Sequence, residues 1–412
     1  MKLLALTNMY PPHHYGGYEL ICRDVMTRLR ERGHSVDVLT TTLRVPGAVD
    51  QHDDTVHRQL RFAWDDHVLQ SPPIHQRWRD ERHNHGVVRD LLREIAPDVV
   101  SVWNMGAMSL GLLDVLRRRD VPVVLNLCDD WLVYGPDLDP WARLFAHRSP
   151  LAGALASIIS RLPCGVPDLA NTTGLFISKF TRERALAHGA MKPGRAITTW
   201  SGIDERDFPV VPAAARPWSW KMIGVGRIDE RKGIATAIGA LAHLPPQATL
   251  TWLGRGDEAH RASLDGLAEQ LGVSDRVHWA HAHRGDLPAA YRDHDVFVFP
   301  STWAEPFGLV PIEAMACGLP VVGTGTGGSG EFLVDGVTAL VPEPLGDPAA
   351  FATAIRRLAE DAVLRDRLVA NGARVAGELT IGRLVDHVEA WHQAAADRFA
   401  HGEPAPRALD LP

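Results

Sequence analysis

Short apolar runs rich in β-branched residues alternate with amphipathic stretches through most of this chain, and this alternation constrains its fold more than any other feature. Such a pattern is typical of βα units on a parallel sheet. It stops in the segment GIDERDFPVVPAAARPWS (202–219), which is rich in Pro and Ala, and starts again with KMIGVG (221–226). We therefore predict an α/β protein with two doubly wound, Rossmann-like domains rather than one large sheet.

The same pattern sets the predicted strands and boundaries. The strands are KLLALT (2–7), VDVLT (36–40), DVVSVW (98–103), VPVVLNL (121–127), GLFIS (174–178), AITTW (196–200), KMIGVG (221–226), ATLTWLG (248–254), RVHWAH (276–281), DVFVFP (295–300), PVVGT (320–324) and TALVP (338–342). The predicted parts are a first domain (1–201), a linker (202–219), a second domain (220–378), a helix (379–400) that packs back on the first domain, and a tail (401–412). Segment 43–86 is predicted as a loop, and segment 135–170 is irregular with several prolines. Both interrupt the first domain, and such additions to an α/β scaffold are a usual place for substrate selection.

Composition excludes several classes of protein. The chain has a net charge of −7 over 412 residues and no basic stripe with interleaved aromatics, so a nucleic-acid partner is not expected. Four scattered cysteines argue against a disulfide framework or a zinc site and favour a reduced, cytoplasmic protein. The apolar run LAGALASIIS, closed by Arg161, is too short to span a membrane. We predict a buried helix there, with contact to a membrane surface as the alternative.

Two glutamates, Glu305 and Glu313, lie eight positions apart in EPFGLVPIE. Glu305 follows a predicted buried strand at its carboxyl end, where open α/β sheets bind ligands. Pro311 suits the first turn of a helix, so Glu313 is predicted near a helix N-terminus, where the dipole favours its charge and no raised pKa is expected. Amides of the turn between them can face a phosphate. A surface turn followed by an ordinary glutamate at a helix start explains the spacing equally well.

Cations and glycines follow two further predicted strands. Arg227 and Lys232, in GVGRIDERKG, have the chemistry to clamp a diphosphate, although a solvated charge run is the alternative. Gly16 and Gly17, in YPPHHYGGYE, allow a phosphate or sugar to approach the backbone closely. Taken alone, the two glycines are more simply explained as the end of a βα loop.

Together and in this order, the motifs resemble those of the retaining, nucleotide-sugar-dependent glycosyltransferases of family 4, which have the GT-B fold. The resemblance extends over nearly the whole chain, and EPFGLVPIE is its most specific element. It implies a donor-binding second domain facing an acceptor-side first domain across a cleft. It also implies a nucleoside diphosphate-sugar as donor, carrying a hexose or deoxyhexose, and an acceptor hydroxyl on a small molecule, glycan or lipid. No metal or other cofactor is implied, because the cations replace it at the diphosphate.

The resemblance implies a role for each matching residue. Glu305 accepts hydrogen bonds from hydroxyl groups of the donor sugar, and Glu313 holds the ribose. Arg227 and Lys232 bind the diphosphate and stabilise charge on the leaving group. The leaving phosphate acts as base for the acceptor hydroxyl, so no protein nucleophile is implied. Further implied contacts are the backbone amides of Phe307, Gly308 and Leu309, with Gly16 and Gly17 approaching from the other domain.

One position departs from the family pattern. Where members commonly have His-Asp followed by an aromatic residue, this chain reads LNLCDDW, with Cys128 in place of the histidine and then Asp129. In family members that histidine reaches the donor sugar near its 6-position, and a thiol is a weak hydrogen-bond partner. The donor then lacks a 6-hydroxyl, or Asp129 takes over the contact, or the enzyme does not need it. A nucleophilic Cys128 is not expected, because neighbouring carboxylates raise the pKa of a thiol.

Two patterns suggest a metal site only superficially. Asp137-Leu138-Asp139 has the DxD spelling of metal-dependent transferases, but so short a match in a Pro-rich loop is common by chance. The irregularly spaced histidines at 52, 57, 67, 75, 83 and 85 favour an exposed loop.

Two other functions stay open beside the glycosyltransferase. A non-catalytic sensor or partner subunit that binds a nucleotide sugar needs the same cations and glutamates. A nucleotide-sugar isomerase of the same two-domain build needs an acid/base pair about the sugar carbon, and the sequence has no convincing candidate for one.

Overall fold

The computed structural model describes residues 1–49, 52–65, 68–145, 150–212 and 217–407, so His67 and tail residues 408–412 lie outside the described part. The chain forms two compact units. One comprises Met1–Trp200 together with Leu384–Pro412, and the other comprises Ser201–Arg383. The segment predicted as a linker is therefore grouped with the second unit, and most of the C-terminal helix with the first.

The first unit is built on a parallel sheet. Its strands are β1 (Lys2–Leu6), β2 (Ser35–Thr41), β3 (Val56–Leu60), β6 (Val99–Val102), β7 (Val123–Leu127), β8 (Thr173–Phe176) and β9 (Ala196–Thr198), and a separate antiparallel pair comprises β4 (Trp64–Asp65) and β5 (Val68–Leu69). The seven-stranded order is β3-β2-β1-β6-β7-β8-β9. Strands β1, β2, β6, β7 and β8 are almost wholly buried, as expected for a parallel sheet covered on both faces, whereas the edge strands β3 and β9 are mostly half-buried.

Helices flank this sheet. They are α1 (Tyr18–Glu31), α2 (Ile74–Ile95), α3 (Gly111–Arg117), α4 (Trp131–Leu138), α5 (Pro150–Ser160), α6 (Lys179–Ala187) and the C-terminal α13 (Ile381–Ala400). Helix α13 is tied to the end of α1 by charged groups. Arg32 pairs with Asp386 at 2.6 Å and also with Glu389, whose other oxygen lies 2.6 Å from Nε2 of His34.

The prediction that segment 43–86 is a loop is wrong. It contains β3 and the first half of α2. The buried face of α2 carries polar side chains, which hid its helical period: His85 Nε2 lies 2.8 Å from Glu81 Oε1, and Asn84 bonds to the backbone of Arg61. Segment 135–170 likewise contains the second half of α4 and all of α5, so it is more regular than predicted.

The second unit repeats the architecture with a five-stranded parallel sheet. Its strands are β10 (Lys221–Val225), β11 (Thr249–Leu253), β12 (Val277–Ala280), β13 (Val296–Phe299) and β14 (Val321–Gly323). Its helices are α7 (Ile234–Ala242), α8 (Glu258–Gln270), α9 (Leu287–Arg292), α10 (Leu309–Ala316), α11 (Pro348–Glu360) and α12 (Ala362–Glu378). The strand order is β12-β11-β10-β13-β14. The chain first adds β11 and β12 on one side of β10 and then adds β13 and β14 on the other side, so the topological switch point lies between β10 and β13. Ligands of open α/β sheets bind at such a switch point.

Eleven of the twelve predicted strands are present, with ends within two residues of those predicted. The exception is TALVP, which forms only isolated bridges from Leu340 to Val322 and from Ala339 to Asp335. The hydroxyl of Thr338 bonds to the carbonyl of Phe332 and accepts from the amide of Val334 at 2.8 Å, which holds this segment in a tight turn. Because this turn ends immediately before Ala339, too few residues remain in an extended conformation to form a strand.

Gly233 allows the loops after β10 and β13 to touch. Its φ is +63°, a backbone conformation that side chains disfavour. Pro300 directly follows β13. A Cβ atom added at position 233 would lie 2.0 Å from the Pro300 carbonyl oxygen. Glycine is therefore required here both for conformation and for space.

We expect Gly233→Ala to lower the free energy of unfolding by at least about 2 kcal/mol, because left-handed backbone alone costs alanine roughly 1–2 kcal/mol and the clash with Pro300 adds to it. The matched control is Gly266→Ala inside α8, where a Cβ has no neighbour within 4 Å. It should stabilise the fold by roughly 0.5–1 kcal/mol. Urea denaturation of both variants measures the difference, and effects of equal sign contradict the role of Gly233.

Candidate functional site

In the second unit, charged side chains meet at the carboxyl ends of β10 and β13. Because these parallel strands are neighbours, the loops that follow them lie side by side. Lys232 Nζ donates to Glu305 Oε1 at 2.6 Å, and Ser301 Oγ donates to the same oxygen at 3.0 Å. Within the part of the chain that the structure describes, both side-chain hydrogen bonds of Glu305 go to Oε1, which leaves Oε2 to accept from a ligand.

Asp229 orders the cations of this cluster, a role that sequence reasoning missed. Its carboxylate accepts from Arg227 at 2.7 Å and from the Nε and Nη2 atoms of Arg231 at 2.8 and 2.9 Å. The hydrogen bonds from Arg231, with the charge of Arg227, hold the pKa of Asp229 well below its usual range. Arg231 also lies over the ring of Trp303, 5.0 Å from its centroid. Three cations thus stand at one sheet edge with their positions fixed.

The turn between the two glutamates leads directly into α10. Gly308 has φ +91° and precedes the first helical residue, Leu309. Phe307 is fully buried and its ring lies 5.3 Å from that of Phe332, which anchors the turn. Among the described residues, no backbone carbonyl accepts from the amides of Phe307, Gly308 or Leu309. Unpaired amides at a helix start form an anion-binding surface.

The position and pKa expected for Glu313 are wrong. Helix α10 begins two residues before Pro311, so Glu313 is its fifth residue, and it is buried. The hydroxyl of Tyr291 donates to its Oε2 at 3.0 Å. Burial raises the pKa of Glu313, and the positive charge of Arg284 opposes this rise only in part. Burial therefore outweighs the favourable helix dipole at this site.

In the first unit, Gly16 and Gly17 precede a buried carboxyl that the sequence reading missed. Gly17 is the N-cap of α1, and Glu19 follows in its first turn with 6% of its surface exposed. Its Oε2 is buried without a hydrogen-bond partner among the described residues. Burial raises the pKa of Glu19 to about 7; backbone amides, including that of Gly16, counteract the rise and the charge of Asp129 adds to it. The spacing of Glu19 with Cys22 and Met26 along one helix face was a usable signal.

Cys128 and Asp129 lie at the carboxyl end of β7 in the same unit. Burial raises the pKa of the Cys128 thiol well above its usual value, and the charge of Asp129 adds to the rise. Asp129 accepts from the Tyr134 hydroxyl at 2.7 Å and from the Trp131 amide at 3.0 Å. Burial raises the pKa of Asp129 to about 6. The structure thus brings Glu19, Cys128 and Asp129 within electrostatic reach of one another.

The DxD pattern has a structural role. Asp139 is fully buried and accepts from the amides of Leu110, Trp141 and Ala142, each at 2.8 Å. Across residues 1–49, 52–65, 68–145, 150–212 and 217–407, no group of three or more His, Cys, Asp or Glu side chains is arranged to hold a metal ion. In the same ranges, no helix has both the length and the apolar character needed to cross a bilayer.

Comparison with known proteins decides the family. The family model for glycosyl transferases group 1 matches residues 214–375, and the glycosyl transferase 4-like domain matches residues 16–160. A D-inositol 3-phosphate glycosyltransferase from Geodermatophilus obscurus is 42% identical over an alignment of 424 residues. The alignment covers 93% of this chain and 86% of that relative. The chain belongs to glycosyltransferase family 4.

Solved structures agree with this glycosyltransferase assignment at the level of fold. Sucrose-phosphate synthase from Thermosynechococcus elongatus superposes with a TM-score of 0.71 at 23% identity, covering 97% of this chain and 99% of that one. HepE from Anabaena in complex with UDP-glucose gives a TM-score of 0.64 at 21% identity, covering 95% and 98%. The predicted GT-B fold is therefore confirmed.

We expect Glu19→Gln to stabilise the transferase at pH 8 and to have little effect at pH 5. The folded-state pKa of Glu19 is about 7, against 4.5 without the protein environment. The folded state thus holds the proton more tightly than the unfolded state, and the stability due to the protonated form is lost as the pH rises from about 4.5 through 7. A pKa shift of this size corresponds to a change of roughly 3 kcal/mol in the free energy of unfolding.

Urea denaturation between pH 5 and pH 8 measures this effect. Glu183→Gln, at an exposed glutamate of α6, is the control and should leave the pH dependence of stability unchanged. A stabilisation by Glu19→Gln that is the same at both ends of the pH range contradicts the assignment.

Proposed function

We propose that this glycosyltransferase moves a sugar from a nucleoside diphosphate to an acceptor hydroxyl, with retention of the anomeric configuration and without a metal ion. The observation that carries the proposal is the cluster around the Lys232–Glu305 ion pair at the switch point of the second sheet. It combines cations for a diphosphate with a carboxylate for sugar hydroxyls. The structural neighbour that holds UDP-glucose supports this class of donor.

The diphosphate is assigned to Arg227 and Lys232, with the amides of Phe307, Gly308 and Leu309. Arg227 is held by Asp229 and keeps about a third of its side chain exposed, at 35%. A planar guanidinium and a compact ammonium neutralise the two negative charges that grow on the leaving group.

Glu305 and Glu313 are assigned to different parts of the donor. Because Lys232 and Ser301 fix Oε1 of Glu305, its Oε2 is oriented to accept from a sugar hydroxyl. Glu313 is oriented by Tyr291 in the same way, and a carboxyl group suits the vicinal hydroxyls of a ribose. Burial removes water from Glu313 and so raises its pKa. Ribose hydroxyl groups then supply the hydrogen bonds that water no longer provides.

In the first unit, Gly16 and Gly17 are assigned to phosphate contact and Cys128 and Asp129 to the sugar. Glu19 is assigned to the acceptor, because its Oε2 is a buried hydrogen-bond acceptor that lacks a donor among the described residues. An acceptor hydroxyl supplies that donor.

The chemical step needs no protein nucleophile. The acceptor oxygen attacks the anomeric carbon on the face that the diphosphate leaves, the bond from that carbon to the phosphate oxygen breaks, and the proton of the hydroxyl passes to the leaving phosphate. Two features of the chain support this route. The Cys128 thiol is held protonated by its raised pKa, and the Glu305 carboxylate is paired with Lys232.

A donor panel tests the proposal and the meaning of Cys128 together. Purified protein is incubated with paired hexose and 6-deoxyhexose nucleotide sugars, with and without acceptor extracts, and nucleotide release is measured. We expect release that depends on acceptor, faster turnover of 6-deoxy donors, and a product whose anomeric configuration, read by NMR, matches the donor.

Three outcomes of this panel argue against parts of the proposal. Nucleotide binding with no turnover under any condition favours a non-catalytic donor-binding subunit. Equal or faster turnover of the 6-hydroxyl sugar contradicts the role given to Cys128, and an inverted product contradicts retention.

The two glutamates should respond differently to substitution. Glu305→Ala should lower kcat/KM by about 10–100-fold, the value of one or two hydrogen bonds to a charged group, and change the Kd of the nucleoside diphosphate far less. Glu313→Ala should raise that Kd by a similar factor. Calorimetry with the nucleotide and steady-state kinetics separate the effects, and Tyr291→Phe is the conservative control for Glu313. Equal losses of affinity in both alanine variants contradict the division of roles.

A further inference from the structure

Helix α5 of the first unit presents an apolar face outward, which contradicts the prediction that this segment is a buried helix. Leu151, Leu155, Ile158 and Ile159 are 83%, 58%, 74% and 75% exposed. Their spacing of four, three and one residues places them along a single stripe of the helix. A stripe of large apolar side chains facing outward is unusual in a soluble protein and marks an interaction surface.

The opposite face of α5 fixes this orientation. Ala156 packs against a small buried cluster of Trp141, Leu162 and Cys164. The Ser157 hydroxyl accepts from the Cys164 amide at 3.0 Å, and the indole of Trp78 donates to the Ser160 carbonyl at 3.2 Å. The helix therefore turns small and hydroxylated residues toward the protein and its leucine and isoleucine side chains away from it. This is the reverse of an ordinary amphipathic surface helix.

The charge around α5 indicates what covers the face. Residues 140–167 contain Arg143, Arg148 and Arg161 and no Asp or Glu, although the whole chain carries a net charge of −7. Arg161 is exposed immediately after the helix, and Arg143 lies in the turn before it; Arg148 lies outside the described residues. An apolar stripe flanked by cations, within an acidic protein, is complementary to an anionic lipid surface.

The length of the helix decides how it meets a bilayer. Eleven residues make a helix of about 17 Å, roughly half of the ~30 Å hydrocarbon thickness. We propose that α5 lies in the plane of a membrane that contains anionic lipid, with Leu151, Leu155 and Ile159 among the acyl chains and the flanking arginines at the headgroups. This surface is separate from the residues assigned to the donor and acceptor, so its test does not depend on the proposed reaction.

The test is co-sedimentation of the full chain with vesicles of phosphatidylcholine alone and of phosphatidylcholine mixed with phosphatidylglycerol. We expect binding to the mixed vesicles only, weakened by added salt, because screening reduces the arginine contribution. Leu155→Gln with Ile159→Gln should weaken binding by about 100-fold or more, since it removes the burial of two large apolar side chains. Arg161→Glu should weaken it by about 10-fold.

The matched control introduces two glutamines elsewhere in the chain. Val363→Gln with Leu271→Gln changes two exposed apolar residues of the second unit and should leave vesicle binding unchanged. Denaturation midpoints of all variants show whether they are folded, which is expected because every altered side chain is exposed.

Three outcomes overturn the proposal. The first is equal vesicle binding by the chain with and without Leu155→Gln and Ile159→Gln. The second is equal binding to vesicles with and without phosphatidylglycerol. The third is self-association in vesicle-free solution that the same two substitutions abolish, together with no vesicle binding; that result identifies a second copy of the chain as the occupant of this face.

Discussion

The close approach of two backbone segments at the switch point of the second sheet is the contact on which the candidate donor site depends. Gly233 lies against the Pro300 carbonyl, and this contact brings Lys232, one residue earlier in the chain, to Glu305, five residues beyond Pro300. The metal-free chemistry proposed for this site rests on the same geometry. Cations held at a fixed distance from a carboxylate can bind a diphosphate and its sugar without a metal to bridge them.

The two glutamates of EPFGLVPIE share a motif but occupy different environments, and this difference supports the separate roles proposed for them. Glu305 is compensated by an ammonium and a hydroxyl, so its carboxylate is stable without a ligand. Glu313 is buried with one phenolic partner, Tyr291, and burial raises its pKa. A glycosidase pair needs two carboxyl groups on either side of one bond. Here each carboxyl has its own partner, which favours two separate contacts along one ligand.

Continuous apolar runs predicted the strands well, because a strand buried on both faces has no alternative to a β-branched, apolar sequence. Predictions failed where tertiary packing overrode local pattern. Helix α2 was missed because Glu81 and His85 pair with each other on its buried face. The environment of Glu313 was missed because the start of α10 depends on the left-handed backbone of Gly308, which no periodicity encodes. For α5 the apolar pattern predicted a helix but not the direction in which it faces.

Buried acids of similar pKa can be told apart by what satisfies their oxygens. Burial raises the pKa of both Asp139 and Glu19 to about 7. Asp139 accepts from three backbone amides, so it organises a loop and its burial is explained by folding alone. Glu19 keeps one oxygen without a donor among the described residues, which opposes folding once the group ionises. A destabilising group beside the glycines of a βα loop is better explained by a ligand that supplies the missing hydrogen bond than by the fold.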